Sequence, residues 1–500
     1  LIVNNSNVWS AFRKCPFLKA GFIDYYFIQE VKMKRFWLVL LSLGLVMSFS
    51  VSAFAVDVKV SAEYYAAGLY LNKVTVDDGF ERWQGNRGSV QPSTAFFFQR
   101  LRVGTDFVVS PSLKLVTRFD AMERIWGGTR SNPFYSDPGQ RLTDDSFSAG
   151  SRAENENIAF DLVYIDYTSP IGLFQVGYQP DSVWGTLFAD RASGTPAGQI
   201  NFTKSIGPYT IVLQYAKEAD TSYSYTNSIA THTDGDYDCY GIGGIYTFKA
   251  AEAGAVLYLN RDTRHKGGFT PYAANYISDV FVLEPYVKAK VGPVALQAEV
   301  NYYFGDAMKW EDGYLGDPNV SVSALSVFLD ATAGFGIFNV GGSFAYLSGD
   351  DPNTADKIEG GINTAGLDWN PCLILFNNDI VNRWVGGIAG HSNTSVGGEM
   401  ANAWFFQGRV GVTPTPRLDI ALALAYATAD KKPAGIPGGS YGTEVDVTGT
   451  YKITNNLSYM IGVGYLFTGD YFKGYNYDFG AGSSKVNDDY ILMNKLTLTF

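Results

Sequence analysis

The sequence predicts an all-β fold: a transmembrane antiparallel β-barrel of about eighteen strands, sixteen being the alternative count. Three observations predict it. The chain ends on an alternating stretch, Tyr490–Phe500, in which Tyr490, Leu492, Leu496, Leu498 and Phe500 share one parity while Lys495, Thr497 and Thr499 fall on the other. Successive strand side chains point to opposite faces, so one face is apolar and the other more polar. Upstream, tight turns alternate strictly with long polar loops. Finally, ionisable residues gather on one parity of strands whose other parity is apolar and aromatic.

The front of the chain is organised differently. Residues 1–32 show no clear period, and Leu1 is not a normal initiator, so this stretch reads as an upstream extension of the reading frame. Residues 33–55 read as a signal peptide. Met33, Lys34 and Arg35 form a basic start, 36–50 is apolar, and Ala53-Phe54-Ala55 fits a small-x-small cleavage site. The apolar run is too short and wrongly flanked for a transmembrane helix. The remaining residues, 56–500, are expected to form one outer-membrane barrel of an exported protein.

Taken in order, 58–71 is the first strand and 96–109 the second. Ser110-Pro111 turns into 113–125, and after a long loop 158–167 turns at 169–172 into 173–179. Next, 199–206 turns at Gly207-Pro208 into 209–219, and 237–248 turns at 249–252 into 253–261. Strand 277–291 turns at Gly292-Pro293 into 294–304, and 320–335 turns at Gly336 into 337–347. Strand 404–412 turns at 413–416 into 418–427, and 441–453 turns at 454–456 into 457–468. Strand 490–500 closes the series. Eighteen strands, eight short turns and nine longer loops put both termini on the short-turn side. Short periplasmic turns and long extracellular loops are the asymmetry of outer-membrane barrels. Closure is forced, because lipid offers no partner to a backbone N–H or C=O. The closing strand is expected to pair with 58–71. Tyr490, Leu498 and Phe500 read as its assembly signal toward the barrel-assembly machinery.

Composition narrows the function classes. The full chain is −11; residues 1–55 carry six Lys/Arg and two Asp/Glu, which leaves −15 on 56–500. That balance argues against a nucleic-acid binder. Cys239 and Cys372 are the only cysteines after residue 55. They form no disulfide scaffold; two unpaired thiols are the leading expectation, and pairing in an oxidising periplasm is the alternative. His232, His265 and His391 are the only histidines. None sits at a spacing that supports a metalloprotease or a hydrolase triad. The acidic runs 234–238 and 350–353 lack the Gly and Glu offsets of a calcium loop and read as solvated loops. No enzyme, cofactor or metal is expected.

Alternation assigns the faces. Leu101, Val103, Phe107, Leu418, Ile420, Leu422, Leu424 and Tyr426 belong to the outer face. The opposite parity carries Arg100, Arg102 and Asp106; Lys114, Arg118, Asp120 and Arg124; Glu284, Lys288 and Lys290; Glu299; Glu444 and Asp446; and Lys495. An Arg or Lys facing lipid near the midplane costs about 2–4 kcal/mol, so these groups are expected to line a lumen. At eighteen strands that lumen is too wide for wall side chains alone to fill, and it reads as a water-filled channel. The loop from 181 to 194, with Trp184, Asp190 and Arg191, is the candidate constriction; an ordinary external loop is the equal alternative.

Two stretches carry a family resemblance. Residues 164–179 resemble the strand–turn–strand that precedes the constriction loop of Gram-negative porins. Residues 442–472, with Gly442, Glu444, Asp446, Tyr451, Gly462, Gly464 and Phe467, are similar to the last hairpins of the alginate-export family; Arg100, Arg102 and Trp126 fit it loosely. That resemblance implies an eighteen-stranded monomeric barrel with an Arg/Lys-lined conduit for anionic polysaccharide. The acidic loops and the Glu and Asp of the wall depart from it. The leading expectation is a channel for passive diffusion of small hydrophilic or anionic solutes. A polysaccharide conduit and an adhesion barrel acting through its long loops (348–403 above all) are the alternatives. Expected partners are outer-membrane lipid and lipopolysaccharide, with a monomer and a trimer both open.

Overall fold

The hairpin series folds as its turn chemistry dictates in a computed structural model of the chain. The structure describes residues 56–72, 93–126, 158–180, 183–189, 196–220, 235–265, 276–310, 318–378, 399–432, 436–472 and 488–500. The proposed upstream extension and signal peptide, 1–55, lie outside them, as do Asp190, Arg191, His232 and His391.

The strands are β1 (Asp57–Leu71), β2 (Thr94–Ser110), β3 (Leu113–Ile125), β4 (Ile158–Ser169), β5 (Gly172–Gln179), β6 (Ala197–Ile206), β7 (Tyr209–Asp220), β8 (Asp236–Thr247) and β9 (Ala251–Asp262). They continue as β10 (Tyr276–Val291), β11 (Val294–Trp310), β12 (Val320–Phe335), β13 (Phe338–Leu347), β14 (Lys357–Ile358), β15 (Ala403–Thr415), β16 (Leu418–Ala429), β17 (Ser440–Lys452), β18 (Leu457–Thr468) and β19 (Asp489–Thr499). Neighbours in sequence are neighbours in the sheet, except that β13 pairs directly with β15. The two-residue β14 lies parallel to the start of β12. The other eighteen form a closed antiparallel wall, as expected. Its seam is β1 against β19, in register from Glu63 opposite Thr499 to Leu71 opposite Ile491. Phe500 and Ala62 exchange both backbone hydrogen bonds there, at 2.8 and 3.0 Å. Closure leaves no strand edge unpaired.

Three of the hairpins that close on two residues pair Ile206 with Tyr209, Val291 with Val294, and Phe335 with Phe338. In each the first loop residue is a glycine at positive φ: Gly207 (60°), Gly292 (60°) and Gly336 (64°). A tight hairpin whose twist matches its strands needs that conformation, which a Cβ disfavours.

The period-2 pattern sorts the wall into two faces. In β18, Tyr459, Ile461, Val463, Tyr465 and Phe467 are exposed while Gly464 and Leu466 are buried. In β16, Ile420, Leu422, Leu424 and Tyr426 are exposed and Ala425 and Ala427 buried. The apolar parity is therefore outside, and the interior is where the ionisable residues lie. Aromatic contacts gather at both rims of the outer face. Tyr209–Tyr246 and Tyr246–Phe248 sit beside the short turns, with ring centroids 4.7 and 4.4 Å apart. Tyr346–Trp404, Phe97–Trp126 and Tyr465–Phe467 sit at the long-loop ends, at 4.2, 5.1 and 4.8 Å. Among the described residues no helix is long and apolar enough to cross a membrane, which says nothing about crossing by strands.

Candidate functional site in the barrel lumen

The inner wall divides into two sectors. From β2 to β11 it is charged and polar. On β2 and β3, Arg102 grips Asp120 with both Nε and Nη2, at 2.7 and 2.6 Å. Arg118 donates to Asp161 of β4 through Nε at 2.8 Å, and Arg102 also reaches that carboxylate at 3.5 Å. Arg100 lies 3.5 Å from Glu63 and 3.9 Å from Glu123, over the ring of Tyr65. Lys114 lies between Asp106 and Asp166, at 3.2 and 3.7 Å. Arg, with its planar fork, suits such two-pronged pairing. This cluster brings together six predicted residues, Arg100, Arg102, Asp106, Lys114, Arg118 and Asp120. Each cation in it is met by at least one carboxylate. Asp161, Glu123 and Asp166 were not singled out in the sequence, although Asp166 sits in plain alternation with its strand.

A bulge in β3 interrupts the parity count before Arg124. Gln99 pairs with Arg124 and Leu101 with Ala121, so two residues of β3 oppose one of β2. Met122 adopts a positive φ of 54° and is exposed, and Glu123 lies within ion-pair distance of Arg100. A bulge shifts the alternation of every residue beyond it. The side chain of Arg124 lies outside the described residues.

On β10, Glu284 is buried, while Lys288 and Lys290 are exposed near the short turn. Lys288 stands 5.3 Å from the Tyr286 ring. Lys495 of β19 stands 4.2 Å from the Tyr65 ring. A polar cavity of about 520 Å³ remains against β7–β11, lined by Glu218, Asp262, Arg264, Glu284, Tyr303 and others, with Ile362 on its inner side.

The second sector, β12 through β19 to β1, is largely apolar on its inner face. Tyr65, Leu69, Phe328, Leu347, Phe405, Leu466 and Ile491 are all buried there. Two inserted loops meet there: the second covers it, and the first reaches it from anchors on β10 and β11. The β5–β6 loop, the candidate constriction, does fold inward at its described residues. Glu299 of β11, 1 % exposed, accepts the Thr186 N–H at 2.6 Å. Gly185 permits this: at φ 74° it packs against that carboxylate, and a Cβ would lie 2.5 Å from Oε2. Trp184 donates its indole N–H to the Glu284 carbonyl at 3.1 Å and meets Tyr286 edge-on. Phe188, wholly buried, stacks on Phe328 at 4.9 Å and meets Trp369 at 5.3 Å.

Trp369 belongs to the second insert, residues 362–378 of the β13–β15 loop. Leu373, Ile374 and Leu375 donate successive backbone N–H groups to Asp446, Glu444 and Glu444, at 3.1, 2.7 and 2.6 Å. Leu375 and Phe376 pack with Phe405 and Tyr441 in one apolar cluster. The inserts touch each other, Gly366 donating its N–H to the Phe188 carbonyl at 2.6 Å. Glu299, Glu444 and Asp446 therefore bind loop backbone at the inner wall. Each such hydrogen bond contributes about 0.5–1.5 kcal/mol, or about 1.5–3 kcal/mol where the acceptor is ionised, and together they hold the loop. The sequence predicts a water-filled channel too wide for wall side chains alone to fill; part of that width is taken by folded loop. A readable signal existed in the sequence, since the apolar run Leu373–Phe376 inside a long polar loop has no reason to face water.

Cys239 and Cys372 are both free and buried, in separate clusters. The acidic run at 350–353 belongs to a collar above the insert. There Asp351 accepts the Asn353 N–H and meets Lys431 at 3.4 Å, and Lys357 donates to Glu359 at 2.7 Å.

Comparison with known proteins gives matches only in structure. No family model matches the chain, and no curated protein does. The anion-selective porin from Comamonas acidovorans is similar at 12% identity and TM-score 0.41, covering 89% of this chain and 99% of that one. OccK2 (OpdF) of Pseudomonas aeruginosa is similar at 12% identity and TM-score 0.46, covering 89% and 98%. OpdK of the same organism, solved with vanillate, is similar at 12% identity and TM-score 0.45, covering 88% and 98%.

Proposed function

We propose that this chain is an outer-membrane channel of the porin type, passing small hydrophilic solutes, anionic ones among them, by diffusion. The observation that carries this is the division of the lumen. The apolar half of the inner wall is covered by inserted loop, and the charged half keeps a polar cavity against β7–β11. Lipid contact by the apolar outer face, with aromatic rings at both rims, supports residence in a membrane. Export through the signal peptide at 33–55 and use of Tyr490, Leu498 and Phe500 in barrel assembly belong to the same reading.

In this reading Arg100, Arg102, Arg118 and Lys114 line one side of the conduit. Glu218, Asp262 and Glu284 line another. Each of these cations is paired with a carboxylate, so the wall offers a passing solute closely spaced charges of both signs. A polysaccharide conduit, implied by the resemblance to the alginate-export family, would use the same Arg side chains. The packed inserts leave a space suited to small molecules over a polymer. An adhesion barrel would need no charged lumen at all.

Selectivity in planar bilayers tests the assignment. Replacing Arg100, Arg102 and Arg118 with Glu should move the reversal potential in a salt gradient toward cation preference. An unchanged reversal potential would remove these residues from the conduit.

A further inference from the structure

We propose that Cys372, Glu444 and Asp446 form a binding site for a thiophilic divalent cation of the zinc class, which pins the second insert to the wall. One potential ligand atom from each of the three lies within 4.8 Å of the others, and all three residues are buried. Zinc sits about 2.0–2.3 Å from Cys sulfur and carboxylate oxygen, so a small inward rotation closes this set around it. The thiol excludes calcium and magnesium, which take oxygen ligands.

Charge balance points the same way. Glu444 and Asp446 are two residues apart on one face of β17, 1 % and 6 % exposed. Among the described residues their hydrogen-bond partners are backbone N–H groups and each other, with no Lys or Arg paired to either. Two adjacent buried carboxyl groups require a compensating positive charge or a proton. Asp446 also presents a buried Oδ1 with no hydrogen-bond partner. It leans over Gly464 of β18, where a Cβ would lie 2.7 Å away and would also crowd Leu373 at 3.1 Å. Glycine keeps that space clear.

The sulfur is prepared from outside the cluster. Gln407 directs its amide N–H at Cys372 Sγ, 3.8 Å away. Arg409 donates to the Gln407 side-chain oxygen at 2.9 Å and is itself held by Asp330 at 2.6 Å. An N–H aimed at sulfur favours an electron-rich thiolate, and such outer partners orient metal ligands. Because Cys372 comes from the loop and the carboxylates from the wall, a bound cation would cross-link the two.

Cobalt(II) titration of the folded full-length barrel in detergent tests this. The expected result is one equivalent bound, with a thiolate-to-cobalt charge-transfer band in the near ultraviolet and displacement by zinc. Cys239→Ala should leave the band unchanged. Cys372→Ser should abolish it while heat-modifiable electrophoretic mobility still reports a folded barrel. Asp446→Asn, which keeps the thiol, should weaken binding about 10–100-fold, and it serves if the serine variant fails to fold. Absence of stoichiometric cobalt binding, a band that survives in Cys372→Ser, or undiminished affinity in Asp446→Asn would overturn the site.

Discussion

At the residue scale the wall from β2 to β4 is a set of paired charges rather than a row of free ones. Arg102 and Asp120 show what that means energetically: their side chains are 19% and 3% exposed and joined by two short hydrogen bonds. Removing one partner of a buried pair strands the other, at a cost of about 3–5 kcal/mol. Asp120→Asn should therefore lower the urea midpoint of unfolding in detergent, and an unchanged midpoint would mean the pair is solvated. The collar above the insert responds to pH instead. Lys357 holds the Glu359 carboxyl below its usual range, and the Asn353 N–H, with Lys431, does the same for Asp351. A depressed carboxyl contributes stability above its unfolded value and loses it as pH falls through the folded one. A spin label at the exposed Ala355 should stay restrained at neutral pH and loosen only below the ordinary glutamate value of about 4.3. Glu359→Gln should loosen it already at neutral pH. The charge-bearing parity was legible in the sequence for Arg100 to Asp120, because alternation is a local property. Glu123 was not, because the bulge at Met122 leaves no mark that parity counting can see.

At the scale of elements, strands and loops differ in how much sequence betrays them. Every strand of the wall was readable, since each carries its own alternation and the short turns carry Gly207, Gly292 and Gly336. The inserts were only half readable. Trp184 suggested an inward loop, but its anchor, Glu299, is 113 residues away from Thr186 in the chain, and no local pattern connects them. The same holds for Leu373–Leu375 and their carboxylates on β17. Glu299→Ala leaves the Thr186 N–H buried without an acceptor, which costs about 1–3 kcal/mol. We expect it to free the β5–β6 loop, seen as added flicker and a larger mean conductance in single-channel records. Quiet records of wild-type size would show that the loop is held by Trp184 and Phe188 alone.

At the scale of the whole molecule, Phe500 and Ala62 complete the β1–β19 seam, which closes the described wall against lipid. The sequence made eighteen strands and an apolar exterior legible, because both follow from repetition. It did not show that one half of the lumen is sealed by loop, because that depends on which wall strands are apolar within. The account stands on the other half conducting. Single-channel recording in planar bilayers, comparing the wild type with a variant in which residues 362–398 are replaced by a short Gly/Ser linker, tests that most directly. Small, stable steps from the wild type and several-fold larger steps from the deletion are the predicted result. Silence from both barrels, folded and inserted, would contradict it.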